Sequence, residues 1–307
     1  MQRFTELGKM EYGAGSAVAL GYFDGVHLGH RAVLSEAVSC ARSRGLTAAA
    51  FTFSLPVSGG FKGRRILTGE EKRRRIASLG VELYLCPPFE QFRVLSPRQF
   101  VDEVLLRDLG ARAVFCGDNF TFGKDKAGNV EVLRRLCAER SIEVHVVPMA
   151  QYQGQTVSST RIRACLSQGE MEPVNDMLGQ PYSLRRSVQR GQGLGHTLGF
   201  PTINLTYPEG LLIPRSGVYV TQVTLSDGTR HPGATGLGSR PTVSDEDKIT
   251  CETFLPGFSG DIYGDEVTVS FYKYLWPTEK FESVNDLATM VRRAARASLD
   301  YFQKQSL

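Results

Sequence analysis

The chain has 307 residues, about twice the size of an ordinary domain, so two domains are the leading expectation and one large α/β domain the competitor. Hydrophobic residues at 41% and charged residues at 22% are ordinary globular usage and exclude disordered, collagen-like and coiled-coil classes. The net charge of +4 is too mild to announce a nucleic-acid or membrane-surface protein, so neither partner is expected and anionic small molecules remain.

Six cysteines (Cys40, Cys86, Cys116, Cys137, Cys165, Cys251) are scattered without a CxxC pair, which fits free thiols in a reducing compartment. The N-terminus lacks an apolar targeting core, and no segment approaches the roughly 18 apolar residues of a membrane span. A cytoplasmic protein is the resulting expectation.

Residues 17–23, 48–53, 81–85, 113–116 and 143–147 read as strands, and 31–44, 70–79, 97–109 and 130–140 as helices. This alternation implies βαβ units and a parallel sheet, whose ligands sit beyond the carboxyl ends of the strands, near the loops after Phe23, Phe53 and Cys116. Residues 158–167 and 170–178 read as two short helices. From Tyr182 the texture turns to Val, Thr, Tyr and Gly in short alternating runs (216–225, 249–255, 266–272), as in an antiparallel barrel or sandwich. Residues 284–302 read as a helix with Leu287, Val291, Ala294 and Leu299 on or near one face. The boundary is expected near residue 181, giving domains 1–181 and 182–307.

Gly21-Tyr-Phe-Asp-Gly-Val-His-Leu-Gly-His30 joins a buried strand to a helix and places His27 and His30 beside the free N–H groups of a positive helix N-terminus, a site that attracts phosphate. Gly29 permits close approach of the backbone. By spacing alone, two histidines three apart can equally cap the helix or bind a metal. The full string, with Gly21, Phe23 and Asp24, resembles the nucleotide-binding motif of the class I nucleotidyltransferases in the form used by prokaryotic FAD synthetases. Val157-Ser-Ser-Thr-Arg-Ile-Arg163 resembles that superfamily's Ser/Thr-rich helix start, with Ser159 or Thr160 as a helix cap and Arg161 and Arg163 as forks for phosphate oxygens. Cys116-Gly-Asp-Asn-Phe-Thr-Phe-Gly123 is similar to the family's flavin-side loop, which implies Asn119 and Phe120 as flavin neighbours. After the second strand, where the family usually carries an Asp-Pro-His-Pro-like turn, this chain reads Phe51-Thr-Phe-Ser-Leu-Pro-Val-Ser.

The run from Gly191 through Gly195 and Gly199 to Pro201-Thr-Ile-Asn204 is too rich in glycine for a sheet interior and suits a loop over phosphates, though no Gly-Lys-Ser/Thr of a P-loop follows. Its end, Gly-Phe-Pro-Thr-Ile-Asn, resembles riboflavin kinase, which implies Thr202 and Asn204 as holders of Mg²⁺-ATP. Gly217-Val-Tyr, Gly236-Leu-Gly-Ser-Arg-Pro-Thr242, Cys251-Glu-Thr-Phe-Leu and Asp261-Ile-Tyr-Gly264 follow in that family's order and make Glu252 the expected base toward the ribityl 5′-hydroxyl. Tyr274-Leu-Trp276-Pro stands where the family typically has Leu-Arg-Pro, and Trp276 is the only tryptophan.

The resemblance spans roughly residues 15 to 303. It implies an α/β plus β architecture: a Rossmann-like nucleotidyltransferase domain with a parallel sheet, then an antiparallel β-barrel with a terminal helix. The implied function is that of a bifunctional riboflavin kinase/FAD synthetase, with riboflavin, FMN and ATP as substrates and Mg²⁺ as the metal. Two alternatives stand beside it: a riboflavin kinase whose nucleotidyltransferase-like half is inactive, and a flavin-responsive regulator without turnover. Homo-oligomerisation is left open by these residues.

Overall fold

The computed structural model describes residues 1–56, 64–190, 202–239, 249–278 and 283–305. Its backbone resolves two compact units, Met1–Ser159 and Thr160–Leu307.

The first unit is a six-stranded, wholly parallel sheet. In chain order it runs β1 (Gln2–Phe4), β2 (Ser16–Leu20), α1 (Leu28–Arg44), β3 (Thr47–Phe51), α2 (Gly69–Ser78), β4 (Leu83–Leu85), α3 (Pro97–Gln99), β5 (Ala111–Gly117), α4 (Val130–Ala138) and β6 (Glu143–Val147). A minor hairpin of β7 (Gln151–Tyr152) and β8 (Gln155–Thr156) follows. The sheet order β1-β4-β3-β2-β5-β6 shows that the chain winds outward from β2 through β3, then returns to β5 on the other side. The switch point therefore lies between the carboxyl ends of β2 and β5, where ligands of such sheets bind. Every residue of β2 and four of five in β3 are buried, as expected for strands covered on both faces.

Three local expectations shift. The strand expected over 17–23 ends at Leu20, because Phe23 (φ 53°) and Val26 (φ 47°) adopt left-handed backbone that no strand accommodates. The helix expected over 97–109 is α3 continuing as a π-helix, Phe100–Asp108. Strand β1, which joins the sheet edge beside β4, was outside the sequence reading because three residues carry no measurable periodicity.

The second unit contains α5 (Ser159–Gln168, which crosses the division), α6 (Met171–Leu178), β9 (Tyr182–Ser187), β10 (Thr202–Thr206), β11 (Gly217–Thr224), β12 (Arg230–Ser239), β13 (Ile249–Phe254), β14 (Glu266–Trp276) and α7 (Val284–Gln305). Its six strands pair antiparallel in the order β10-β13-β12-β11-β14-β9, and a bridge between Gln189 and Asn204 brings the two edges together, as in a barrel. Strands β9 and β12 escaped the sequence reading, since Arg185-Arg186 in one and Pro232 with three glycines in the other mask the alternation. The barrel interior holds a chain of buried hydroxyls: Thr235 bonds both Thr221 and Thr253 at 2.7 Å. On α7 the buried residues are Ala288, Ala294, Ala295 and Ser298, whereas Leu299, expected on or near the buried face, is 42% exposed. Small residues there allow close approach, and the Ser298 hydroxyl donates to the Gly233 carbonyl of β12 at 2.8 Å.

All six cysteines are free. Burial pushes the Cys116 thiol up to about 11 and Cys137 and Cys251 up to about 12, so these three are inert packing groups. Among the described residues no helix is long and apolar enough to cross a membrane.

Candidate functional site

The first site forms where β2 ends. His27 is the N-cap of α1, whose first turn holds no acidic residue, so the positive end of the helix is left for an anion. The His27 Nδ1 accepts a long hydrogen bond, 3.4 Å, from the His30 backbone N–H, which places the ring proton on Nε2 as a donor. The two imidazoles stack at 3.6 Å, and His30 meets the Phe23 ring edge-on at 5.3 Å. Spacing alone left capping and metal binding open; the cap is real, and no group of three or more His, Cys, Asp or Glu that could hold a metal occurs among the described residues.

Burial lowers the His27 pKa from 6.5 to about 4, so this imidazole is neutral at neutral pH. Because the folded pKa lies below the unfolded one, its contribution to stability is complete above pH 6.5 and is lost as pH falls toward 4. The loss amounts to about 3 kcal/mol. In urea unfolding between pH 4 and 7, His27→Asn, which keeps a capping oxygen, is expected to flatten the acid limb of the first unit by up to that amount. Parallel acid limbs in the two proteins would show that His27 is not the group responsible.

The rest of the loop is held by named bonds. Asp24, buried, accepts from the Ile66 N–H at 3.0 and 3.3 Å, so its carboxylate serves the loop's anchoring. A Cβ on Gly21 would stand 2.7 Å from the Phe23 ring, which explains glycine there; a Cβ on Gly29 would make only ordinary contact with His27. The Ser159 hydroxyl donates to the Asp24 carbonyl at 2.8 Å. Helix α5 begins at Ser159, so Ser159 and Thr160 lie in its first turn, not at the expected cap position. Arg161 and Arg163 lie on the same helix, half-buried, within the second unit.

Lys72 of α2 is a positioning residue of this loop that the sequence did not reveal. Its Nζ is buried and donates to the carbonyls of Tyr22 (3.2 Å) and Phe53 (3.3 Å) and to the Thr52 hydroxyl (3.1 Å), tying the loop after β2 to the loop after β3. Burial pushes its pKa down. In sequence it sits in a charged run, Glu70-Glu-Lys-Arg-Arg-Arg75, where nothing local marks it for burial. The segment that replaces the family's Pro-His-Pro turn runs along residues 86–89: Ser54 bridges Pro88, and Phe53 stacks on Tyr22 at 4.8 Å. Residues 57–63 lie outside the described residues. Beyond β5, Asn119 is exposed, while Phe120 stacks on Phe122 at 5.7 Å and packs against the core.

The second site is a row across the barrel sheet. Glu252 on β13 stands opposite Asn204 on β10 and opposite Gly236 on β12, and directly opposed residues share a face. That face is the one away from the buried Cys251 and Thr253. Thr202 shares Asn204's face, two residues along. The Asn204 Nδ2 donates to the Thr202 carbonyl at 3.5 Å. Among the described residues an added Cβ at Gly236 would find no atom closer than 4.0 Å, so the sheet has room above it beside Glu252, which no local signal disclosed. Gly191, Gly195 and Gly199, with Arg240 to Thr242, lie outside the described residues.

Comparison with known proteins identifies the family of each half of the chain. The FAD synthetase family model matches residues 9–161 and the riboflavin kinase model residues 178–302. Bifunctional riboflavin kinase/FMN adenylyltransferases of Listeria monocytogenes and Bacillus subtilis are 34% and 32% identical, each alignment covering 94% of this chain and 92% and 93% of theirs. The enzyme of Pseudomonas fluorescens is 32% identical over 92% of this chain and 93% of its own. A solved structure described as a macrolide-efflux protein from Streptococcus pneumoniae superposes with a TM-score of 0.83 at 28% identity, covering 97% of this chain and 98% of its own. The chain belongs to the bifunctional riboflavin kinase/FMN adenylyltransferase family, whose members are transferases of flavin cofactor biosynthesis.

Proposed function

We propose that residues 182–307 phosphorylate riboflavin with ATP, giving FMN and ADP, and that residues 1–181 adenylylate FMN with ATP, giving FAD and pyrophosphate. The observation that carries this reading is the presence of two separate motif sets in two folds, matching two attacks on different phosphorus atoms.

In the kinase half the Glu252 carboxylate accepts the proton of the ribityl 5′-hydroxyl as that oxygen attacks the γ-phosphorus. The hydroxyl of Thr202 and the amide oxygen of Asn204, on the same face as Glu252, are hard oxygen donors that suit Mg²⁺. Bound there, the ion would neutralise charge on the phosphate oxygens. Gly191, Gly195 and Gly199 are assigned to the loop over those phosphates by resemblance.

In the adenylyltransferase half an FMN phosphate oxygen attacks the α-phosphorus. No covalent enzyme intermediate is needed, so the protein's work is alignment and charge stabilisation. His27 and His30 donate to phosphate oxygens at the α1 N-terminus, Arg161 and Arg163 hold the triphosphate, and Asn119 and Phe120 flank the flavin. A cytoplasmic location accords with the substrates.

The test is incubation of the purified protein with riboflavin, ATP and Mg²⁺, with chromatographic separation of riboflavin, FMN and FAD. FAD is expected. FMN alone, even when FMN is supplied, would show that residues 54–58 do not replace Pro-His-Pro; no conversion would favour a regulator.

A further inference from the structure

The row that carries Glu252 continues past Gly236. Gly236 stands opposite Val218 on β11, and Val218 stands opposite Trp276 at the end of β14. Two residues earlier, Tyr274 stands opposite Tyr219, whose side chain is fully buried on the other face. In a regular strand Tyr274 and Trp276 would share a face. An irregularity between them, with Leu275 as the extra residue, re-aims Trp276 onto the Glu252 face, a common use of bulges beside active sites.

Helix α7 packs against β11 and β12. Val220 and Ala234 alternate with the core-facing Thr221 and Thr235, yet both are buried, so α7 covers the Glu252 face at its Trp276 side and leaves Gly236 at its border. From α7, the Arg293 guanidinium lies 4.8 Å from the centre of the Trp276 ring. Among the described residues no carboxylate forms an ion pair with Arg293. Stacking on indole fixes a guanidinium plane while leaving its edge donors for another acceptor.

Along the row the order is Asn204, Glu252, Gly236, Val218, Trp276. Three strand spacings separate Glu252 from Trp276, roughly 14 Å between backbones. That is the order of length of a ribityl chain with its tricyclic ring, laid from the reacting hydroxyl at Glu252 across the glycine floor. The geometry points to Trp276 and Arg293 as the specificity-determining pair for the flavin ring in the kinase reaction, Arg293 donating to the carbonyl edge of the isoalloxazine. This rests on the proposed kinase role of Glu252.

Because Trp276 is the only tryptophan, its fluorescence reports the pair directly. Riboflavin titrated without ATP is expected to quench it, and Arg293→Ala is expected to move that titration to 10- to 100-fold higher riboflavin, by analogy with the loss of one or two charge-assisted hydrogen bonds. The riboflavin KM should rise in parallel, with kcat within about threefold and the ATP KM unchanged, and Arg293→Lys, keeping charge without the fork, should fall between. If Arg293→Ala leaves the quenching curve and the riboflavin KM unchanged while Glu252→Gln abolishes phosphorylation, the pair is not the ring site and the kinase reading stands. If Glu252→Gln keeps full kinase activity, Glu252 is not the base, and the proposal, which is measured from it along the row, falls.

Discussion

Glu252→Gln is expected to lower riboflavin phosphorylation by about 10²- to 10⁴-fold, the usual contribution of a positioned general base, while FAD formation from supplied FMN continues at the wild-type rate. The substitution preserves size and hydrogen-bonding shape and removes only the proton acceptor. Folding should be little affected, because Glu252 points away from the buried Cys251 and Thr253 and its strand is held on both sides by backbone pairing to β10 and β12. The measurement is the rate of FMN formation with riboflavin and ATP, beside the rate of FAD formation with FMN and ATP, on protein whose thermal midpoint matches wild type. A variant that phosphorylates riboflavin normally would remove Glu252 from the chemistry.

His30→Ala should do the reverse. The ring stacks on His27 at 3.6 Å and rests edge-on against Phe23, at the start of a helix whose first turn is free of acidic residues. Removing one preorganised donor to a transferring phosphoryl group costs about 10²- to 10³-fold. FMN adenylylation is expected to fall by that factor and riboflavin phosphorylation to stay unchanged. Two distinct phosphorus atoms are attacked, so two independent sites predict this crossed pattern. If Glu252→Gln and His30→Ala each suppressed both reactions equally in folded protein, the assignment of one reaction to each half would be wrong.

The local setting of the motifs proposed for the chemistry was legible because each is a contiguous string whose backbone role is local: a turn at a helix N-terminus and a Thr-x-Asn strand. The expectation of Ser159 or Thr160 as the helix cap failed, since α5 already begins at Ser159 and the Ser159 hydroxyl goes to the Asp24 carbonyl instead. Leu299 failed for a different reason. Four apolar or small positions satisfy helical spacing, but the helix packs through Ala288, Ala294, Ala295 and Ser298, where short side chains permit contact with β12.

By itself the sequence determined the α/β then β order of elements, the helix N-terminus that presents His27 and His30, and the family. Periodicity and short motifs act within a few residues, and these features need nothing more. Only the tertiary structure decided that Asn204, Glu252 and Gly236 form one row, because register depends on which strands pair and a slip of one residue would turn every side chain to the opposite face. It alone decided that Lys72, from a charged run, is buried between two loops, since burial depends on what packs above it. And it alone put Trp276 on the Glu252 face, through one extra residue in β14 that shifts the pairing with β11, a change of face that no alternation pattern in the chain announces.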